Sequence, residues 1–559
     1  MRLLHRARAI WILSALALAA RMVWPLAVDH HSKSREVEKQ PESPESARII
    51  DSIIAGEKLY VAKLREYSPR VETYVQHYEY DTELGEVPKE DAYFLGRLTV
   101  EPKAKEVSFI RDPNPGRLHR RPGNREEHLP LDRFAVEPLT VDQNNFDRDH
   151  YEFKPVRWEK LGDLHCLALD VVPRRRSEGR AFEGRIWVED HSYAIVRLNG
   201  TRLNPPHGDL DVHFDCWREN LRPGVWLPVY IFNQDSGWGH RLGYKAETRL
   251  WGYDSTDWRQ PQTQPPANTE ASGHRRGKPA ADMPTEEAQR RLDIALEHNV
   301  LKRLERARLI APPGPVNKVL ETVVNNLKIT NHLDSLPAIQ CRVLLTSSLE
   351  SFSLAFTIVI SRGLIDVLPD EASLAMILAH ELAHLSLPHK LNSQYALEEG
   401  MDVPDEKLLA SLDLAHTRED EAAADAQGME FLKNSPYQDK LGQAGLFLHA
   451  AADAAPRVPH LFGAHLGNGL IEGSDKVIRM AALTTGAPAL APKKVDQIAA
   501  LPLGSRIQVN AWDGSVAFTD RKAVPLIALP EKMPFQVTAV IPYLKIYTET
   551  PKIEVTPEK

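Results

Sequence analysis

Asp370-Glu371-Ala372-Ser373-Leu374-Ala375-Met376-Ile377-Leu378-Ala379-His380-Glu381-Leu382-Ala383-His384-Leu385-Ser386 is the stretch on which the reading of this chain turns. It spells His-Glu-x-x-His inside a run of strong helix formers, Ala, Leu, Met and Glu. Asp370, just after Pro369, is a good N-cap, and Glu371 suits the positive end of the first turn. Pro388 stops the helix. Leu374, Ile377, Leu378 and Leu382 supply apolar surface for burial. Two histidines four apart project from one helical face, so both imidazoles can reach a single tetrahedral metal. The glutamate between them suits a general base acting on a water at that metal. The plainer alternative is a partly exposed helix with two structural histidines.

A catalytic zinc needs a third protein ligand and an open position. The extended form of the motif would place glycine three residues after His384 and histidine six after it. Leu387 and Lys390 stand there, which excludes that subclass and points to a downstream carboxylate. Glu398, Glu399 and Asp402 follow closely, but in a loop containing Gly and Pro that would orient a ligand poorly. The better candidate is Thr417-Arg418-Glu419-Asp420-Glu421-Ala422-Ala423-Ala424-Asp425. Its alanines make a thin helix able to approach the first one closely. Glu421 and Asp425, four apart, face the same way. Glu421 is the expected third ligand, and Asp425 the acceptor that fixes a ligand histidine's tautomer. A solvated acidic helix face is the competing reading.

With 559 residues the chain exceeds one ordinary core, and two or three domains are expected. A net charge of −8 gives no reason to expect a nucleic-acid partner. Arg2, Arg6 and Arg8 precede an apolar run over residues 9–20, the pattern of an export signal. Residues 1–27 read as that signal, cut after Ala20 or Ala27. An uncleaved anchor reaching about Val28 is the alternative, with Arg21 costly inside a bilayer. Either way the protein is expected outside the cytoplasm, periplasmic or anchored, with membrane proximity. Cys166, Cys216 and Cys341 form no CxxC pair, so a thiolate zinc site is not expected. In an exported protein Cys166 and Cys216 could pair; three buried thiols are the alternative.

Residues 28–49 are a polar tether. Over residues 50–258, short alternating runs (93–100, 163–172, 185–188, 193–198, 210–214 and 226–232) read as antiparallel sheet. Asn199-Gly200 and Pro223-Gly224 are read as the turns between them. Residues 259–284, rich in Pro, Gln, Gly and Ala, form a linker. Helical spacing over 285–309 and 316–327 and a strand over 341–345 introduce an α/β segment, 285–480, that carries the motif. The apolar run 352–360 reads as a strand able to take an extended substrate by β-addition. Residues 481–559 form a C-terminal β-rich extension, with β-like runs at 506–511 and 535–541. The fold class expected is α+β.

The pairing of "HELAH" with "EAAAD" resembles the zinc peptidases that include HtpX-like and BepA-like bacterial proteases, Oma-type proteases and CAAX prenyl proteases, over about residues 316–480. The "FSLAFTIVISRGLI" segment looks like that family's edge strand and following turn. The resemblance implies one zinc ion on His380, His384 and Glu421, Glu381 as base and Asp425 behind the ligands. His460 and His465 are then candidate transition-state donors. It also implies a metalloendopeptidase acting on a protein or peptide, with cell-envelope or misfolded proteins as substrates. "FEGRIWVEDHSYAIVRLNGTRLN" faintly resembles LolA-like and RseB-like periplasmic domains, which implies an envelope or lipoprotein partner. A β-rich scaffold without ligand is the alternative there. The rival function is an envelope-assembly or chaperone factor that uses a latent protease fold for binding.

Overall fold

Between residues 70 and 251, alternating side chains build one antiparallel sheet of ten strands. A computed structural model describes residues 43–548, except 83–84, 101–104, 111–131, 175–180, 204–211, 236–242, 255–284, 388, 390–408, 410–413, 473–476, 492–496, 498, 505 and 520–534. The signal segment 1–27, the linker 259–284, Pro388, Lys390, Glu398, Glu399 and Asp402 therefore lie outside the described residues, as does most of the tether. The strands are β1 (Arg70–Asp81), β2 (Gly85–Thr99), β3 (Lys105–Ser108), β4 (Tyr151–Leu161), β5 (Leu164–Pro173), β6 (Phe182–Glu189), β7 (Ile195–Arg202), β8 (Val212–Arg222), β9 (Val225–Asp235) and β10 (Tyr244–Trp251). Their spatial order is β3-β2-β1-β10-β9-β8-β7-β6-β5-β4, so the first and last long strands meet in the middle.

Pro223-Gly224 does turn the chain between β8 and β9, with Gly224 at φ +69°. Asn199-Gly200 does not. Both residues lie within β7, and Gly200 pairs with Gly184 and Phe214. The glycine is there for space, because a Cβ on it would meet Glu183's carbonyl and the Phe182 ring. The outer strand β4 is exposed along most of its length, carries Lys154, Pro155, Arg157 and Lys160, and is bulged. Charge, proline and a bulge together discourage further strand pairing.

Helix α1 (Pro44–Leu64) covers one face of the sheet. Ile50, Ile53, Val61 and Leu64 pack there on Val71, Leu98, Leu169, Ile186, Phe214 and Cys216. Arg218 reaches from β8 into this core and pairs with Glu57 of α1 at 2.6 and 2.9 Å, both side chains about 1 % exposed. The opposite face holds Cys166, Ala168, Trp187, Val196 and Trp217 together with Leu544 from the C-terminal segment. Cys166 and Cys216 thus sit on opposite faces, and all three cysteines are buried free thiols.

The second half comprises α2 (Thr285–Arg306), α3 (Pro315–Thr330), β11 (Gln340–Leu344), β12 (Glu350–Leu354), β13 (Thr357–Ser361), α4 (Arg362–Val367), α5 (Glu371–Ser386), α6 (Arg418–Lys433), α7 (Leu441–Ala454) and α8 (Pro459–Phe462). A small mixed sheet runs β11-β13-β12-β14, with β14 at Asn468–Gly469. The single strand expected over 352–360 is in fact a hairpin. Ala355 and Phe356 turn it at φ +46° and +62°, the left-handed pair of a two-residue hairpin loop. Every residue of β12 and β13 is buried, Ser353 and Thr357 included, so no exposed position marks the turn, which also lacks its usual Gly or Asn. The N–H of Ala355 donates to the Glu297 carboxylate of α2, which pins the turn. The large sheet thus sits beside helices and a small mixed sheet, an α+β fold.

A buried ionic knot joins the sheet to this half. Glu72 of β1 accepts from Tyr93 (2.6 Å), Ser347 Oγ (2.8 Å) and Arg362 (3.0 Å). Arg362 also pairs with Asp366 at 3.2 Å. Asp366 in turn accepts the backbone N–H groups of Gly504, Arg506 and Ile507, each at 2.9 Å. That contact seats a short hairpin of β17 (Ile507–Val509) and β18 (Val516–Phe518). Residues 535–541 form no strand. The buried Gln76 side chain holds them instead, donating to the Phe535 carbonyl (2.7 Å) and accepting from the Val537 N–H (2.8 Å). Among the described residues, no helix is long and apolar enough to cross a membrane.

Candidate metal centre

Helix α5 begins where its sequence says it should, with the Asp370 carboxylate accepting from the Ser373 N–H at 2.8 Å. Most of it is buried, from Ala372 to His384 with Leu374 partly so. His380 is 1 %, Glu381 0 % and His384 2 % exposed. Helix α6 starts at the N-cap Thr417 and lies against α5 through Ala424 and Gly428. A Cβ on Gly428 would stand 3.2 Å from the His380 backbone nitrogen, so the two helices nearly touch there. Ala422 and Ala423 face outward, and only Ala424 of the alanine run makes the close approach.

This approach brings His380, His384 and Glu421 together as one group of metal-ligand type. The two Nε2 atoms are 3.0 Å apart, and Glu421 oxygens stand 3.2 Å from His380 Nε2 and 3.5 Å from His384 Nε2. Tetrahedral zinc with bonds of about 2.0–2.1 Å separates its donors by about 3.3–3.4 Å, so the two imidazoles and the carboxylate fit such an ion. The other ring nitrogens point away to partners. His380 Nδ1 meets Asp425 at 2.8 Å, and His384 Nδ1 meets His389 Nδ1 at 2.9 Å. Asp420 stands 3.6 Å behind His389. Burial and Arg479 oppose a proton on His380, but the Asp425 and Glu421 hydrogen bonds prevail and raise it to about 9. Burial and the His380 charge push His384 far down. For Glu421 burial works upward, yet the His380 bond and Arg479 bring it down to about 2.

Glu381 is held on both oxygens. Ser351 Oγ of β12 donates to Oε1 at 2.7 Å and Ser353 Oγ to Oε2 at 2.6 Å. Arg479 donates to Oε1 at 3.1 Å and lies 3.5 Å from Glu421 Oε2. Asn468 of β14 donates to Glu421 Oε1 at 2.7 Å. The His416 ring stacks on His384 at 3.9 Å, and among the described residues neither of its ring nitrogens has a hydrogen-bond partner. Sequence reading missed Ser351, Ser353, His389, His416, Asn468 and Arg479. His389, five residues past the motif, carried a usable signal; Arg479 and Asn468 carried none, because only folding brings them here.

His460 and His465 are not part of this group. The N–H of His460 donates to Asp91 of β2 at 3.0 Å, and the His465 ring stacks on Tyr93 at 4.2 Å. Their segment is shaped by Glu350, which accepts the N–H groups of His465, Leu466 and Gly467 at 3.2, 2.9 and 2.9 Å. The two histidines thus serve the contact with the large sheet, while Asn468 just beyond them reaches the ligand.

Two histidines on one helix, a carboxylate from the next and an aspartate behind them form the arrangement expected of a metallopeptidase. Residues 319–465 match the model of peptidase family M48. The matched segment is similar to the metallopeptidases of that family. It contains the whole HELAH and EAAAD pairing but ends before Asn468 and Arg479. None of the curated proteins matches the chain. Among solved structures, a DUF1329 family protein from Desulfovibrio piger is similar at 14% identity and a TM-score of 0.21, over 36% of this chain and 91% of that one. A LolA superfamily protein from Nitrosomonas europaea is similar at 14% identity and a TM-score of 0.19, over 36% and 90%.

Proposed function

We propose that the protein is a zinc-dependent metalloendopeptidase in which His380, His384 and Glu421 hold the ion and Glu381 is the general base. The observation that carries this reading is the cluster of donor atoms, with the two Nε2 atoms 3.0 Å apart, one Glu421 oxygen 3.2 Å from His380 and the other 3.5 Å from His384, each residue backed by a partner suited to hold it. Zinc bound there would polarise water and the scissile carbonyl, with charge near +1 left by two neutral imidazoles and one carboxylate. Glu381 takes the proton of the attacking water and delivers it to the leaving amine. Ser351 and Ser353 keep its carboxylate turned toward the ligands. Asp425 and His389 fix the tautomers of His380 and His384, so that each presents Nε2. Substrates are unfolded or cell-envelope proteins met outside the cytoplasm, a reading supported by the Arg-flanked apolar run at residues 9–20.

One experiment tests the assignment: metal content and cleavage of an unfolded model protein by wild type, Glu381→Gln and Glu421→Ala. Glu381→Gln should keep its zinc and lose cleavage, while Glu421→Ala should lose zinc. Cleavage surviving Glu381→Gln would sink the role of Glu381. The near-complete burial of Glu381 favours one second reading, a latent peptidase used in envelope assembly, for which wild type would bind zinc yet leave the model protein intact.

A further inference from the structure

Arg479 touches both Glu381 and Glu421, and neither motif includes it. It follows the hairpin of β15 (Ile471–Glu472) and β16 (Val477–Ile478) and lies beyond the matched segment 319–465. Its backbone is fastened, since its N–H donates to the Leu470 carbonyl at 3.1 Å and the Leu470 N–H donates to the Leu349 carbonyl at 3.2 Å. Its side chain is 5 % exposed and reaches Glu381 (3.1 Å), Ser351 Oγ (3.1 Å) and Glu421 (3.5 Å). A guanidinium placed there stands between the base and the carboxylate ligand, in contact with both.

We propose that Arg479 is the oxyanion-stabilising residue of the reaction, a proposal that rests on the metallopeptidase reading above. When water attacks, a C–O bond forms and the carbonyl π pair moves onto its oxygen, while the water proton passes to Glu381. The new negative charge then collapses, the C–N bond breaks and the amine leaves with that proton. Arg479 gives and takes no proton. It supplies a fixed cation with several N–H donors where charge develops, in a buried setting that makes such a cation count for more than in water. Before substrate enters, the same guanidinium rests on Glu381 and Glu421, and the developing oxyanion takes over one of those contacts. A buried ion triad that only stabilises the fold is the competing explanation, and so is a latch that keeps the base occupied.

The test compares zinc-loaded wild type, R479M and R479Q for zinc content, thermal midpoint, kcat and KM on a peptide, and affinity for a phosphinic peptide that mimics the tetrahedral centre. Both variants should keep their zinc and KM within a few-fold. R479M should lose on the order of 10²-fold or more in kcat and a similar factor in phosphinic-peptide affinity, with R479Q intermediate because it retains a donor. R479Q guards against R479M folding poorly. A fall in thermal midpoint and zinc content with kcat per bound zinc unchanged would make Arg479 a fold-stabilising ion only. A rise in kcat would make it a latch. Either result overturns the proposal while leaving the peptidase reading intact, whereas zinc-loaded wild type that cleaves nothing overturns the reading itself.

Discussion

His380 sets the pH behaviour of the metal-free site. Hydrogen bonds that His380 donates to Asp425 and Glu421 hold its proton to about 9, against an ordinary value of 6.5. A raised folded pKa stabilises the metal-free fold fully below 6.5, and that contribution disappears as pH rises through about 9. Glu421 behaves in the opposite sense. Brought from 4.5 down to about 2, it contributes above 4.5 and loses that contribution as pH falls toward 2. Metal must evict the His380 proton, so zinc binding at pH 7 should release about one proton. Affinity should climb about tenfold per pH unit until it flattens near 9. Calorimetry in buffers of different ionisation enthalpy measures the release; none at pH 7 would contradict the proton on His380. Asp425→Ala frees one ring nitrogen and should weaken zinc about 10–100-fold, read by competition with a chelator.

At the scale of elements, the site depends on two helices lying almost in contact. Gly428 permits this, with its missing Cβ 3.2 Å from the α5 backbone. Gly428→Val should push α6 away from α5, carrying Glu421 with it. Overpacking of this kind costs about 1–3 kcal/mol, and zinc affinity should fall along with the melting temperature. An unchanged zinc affinity would mean that α6 is not seated by this contact. Asp370→Ala removes only the cap of α5 and should cost about 1 kcal/mol in chemical denaturation, without loss of bound metal. Both helices were legible in the chain because cap, helix formers and ligand spacing all lie within about four turns. The hairpin of β12 and β13 was not legible. All of its residues are buried, so no exposed position marks the turn, and Ala355-Phe356 carries none of the usual turn residues.

At the scale of the whole molecule, the large sheet is a wall of the peptidase half. Asp91 and Tyr93 hold the segment from which Asn468 reaches Glu421, and Glu72 ties β1 to Arg362 beneath β13. The sheet in turn depends on the Glu57–Arg218 pair under α1. Glu57→Ala would leave a buried guanidinium unpaired and should cost about 3–5 kcal/mol in urea denaturation. A loss below about 1 kcal/mol would show that water reaches Arg218.

The chain alone determined the helix that carries HELAH, its partner helix and the antiparallel character of residues 70–251, because each is written in local spacing: four residues for side chains on one helical face, two for a strand. Only the tertiary structure decided the rest. It sent Cys166 and Cys216 to opposite faces of the sheet, stacked His465 on Tyr93, and set Arg479 and Asn468 beside the ligands. Such contacts join residues far apart in the chain, and no short-range pattern in the sequence records which of them the packed core will bring together.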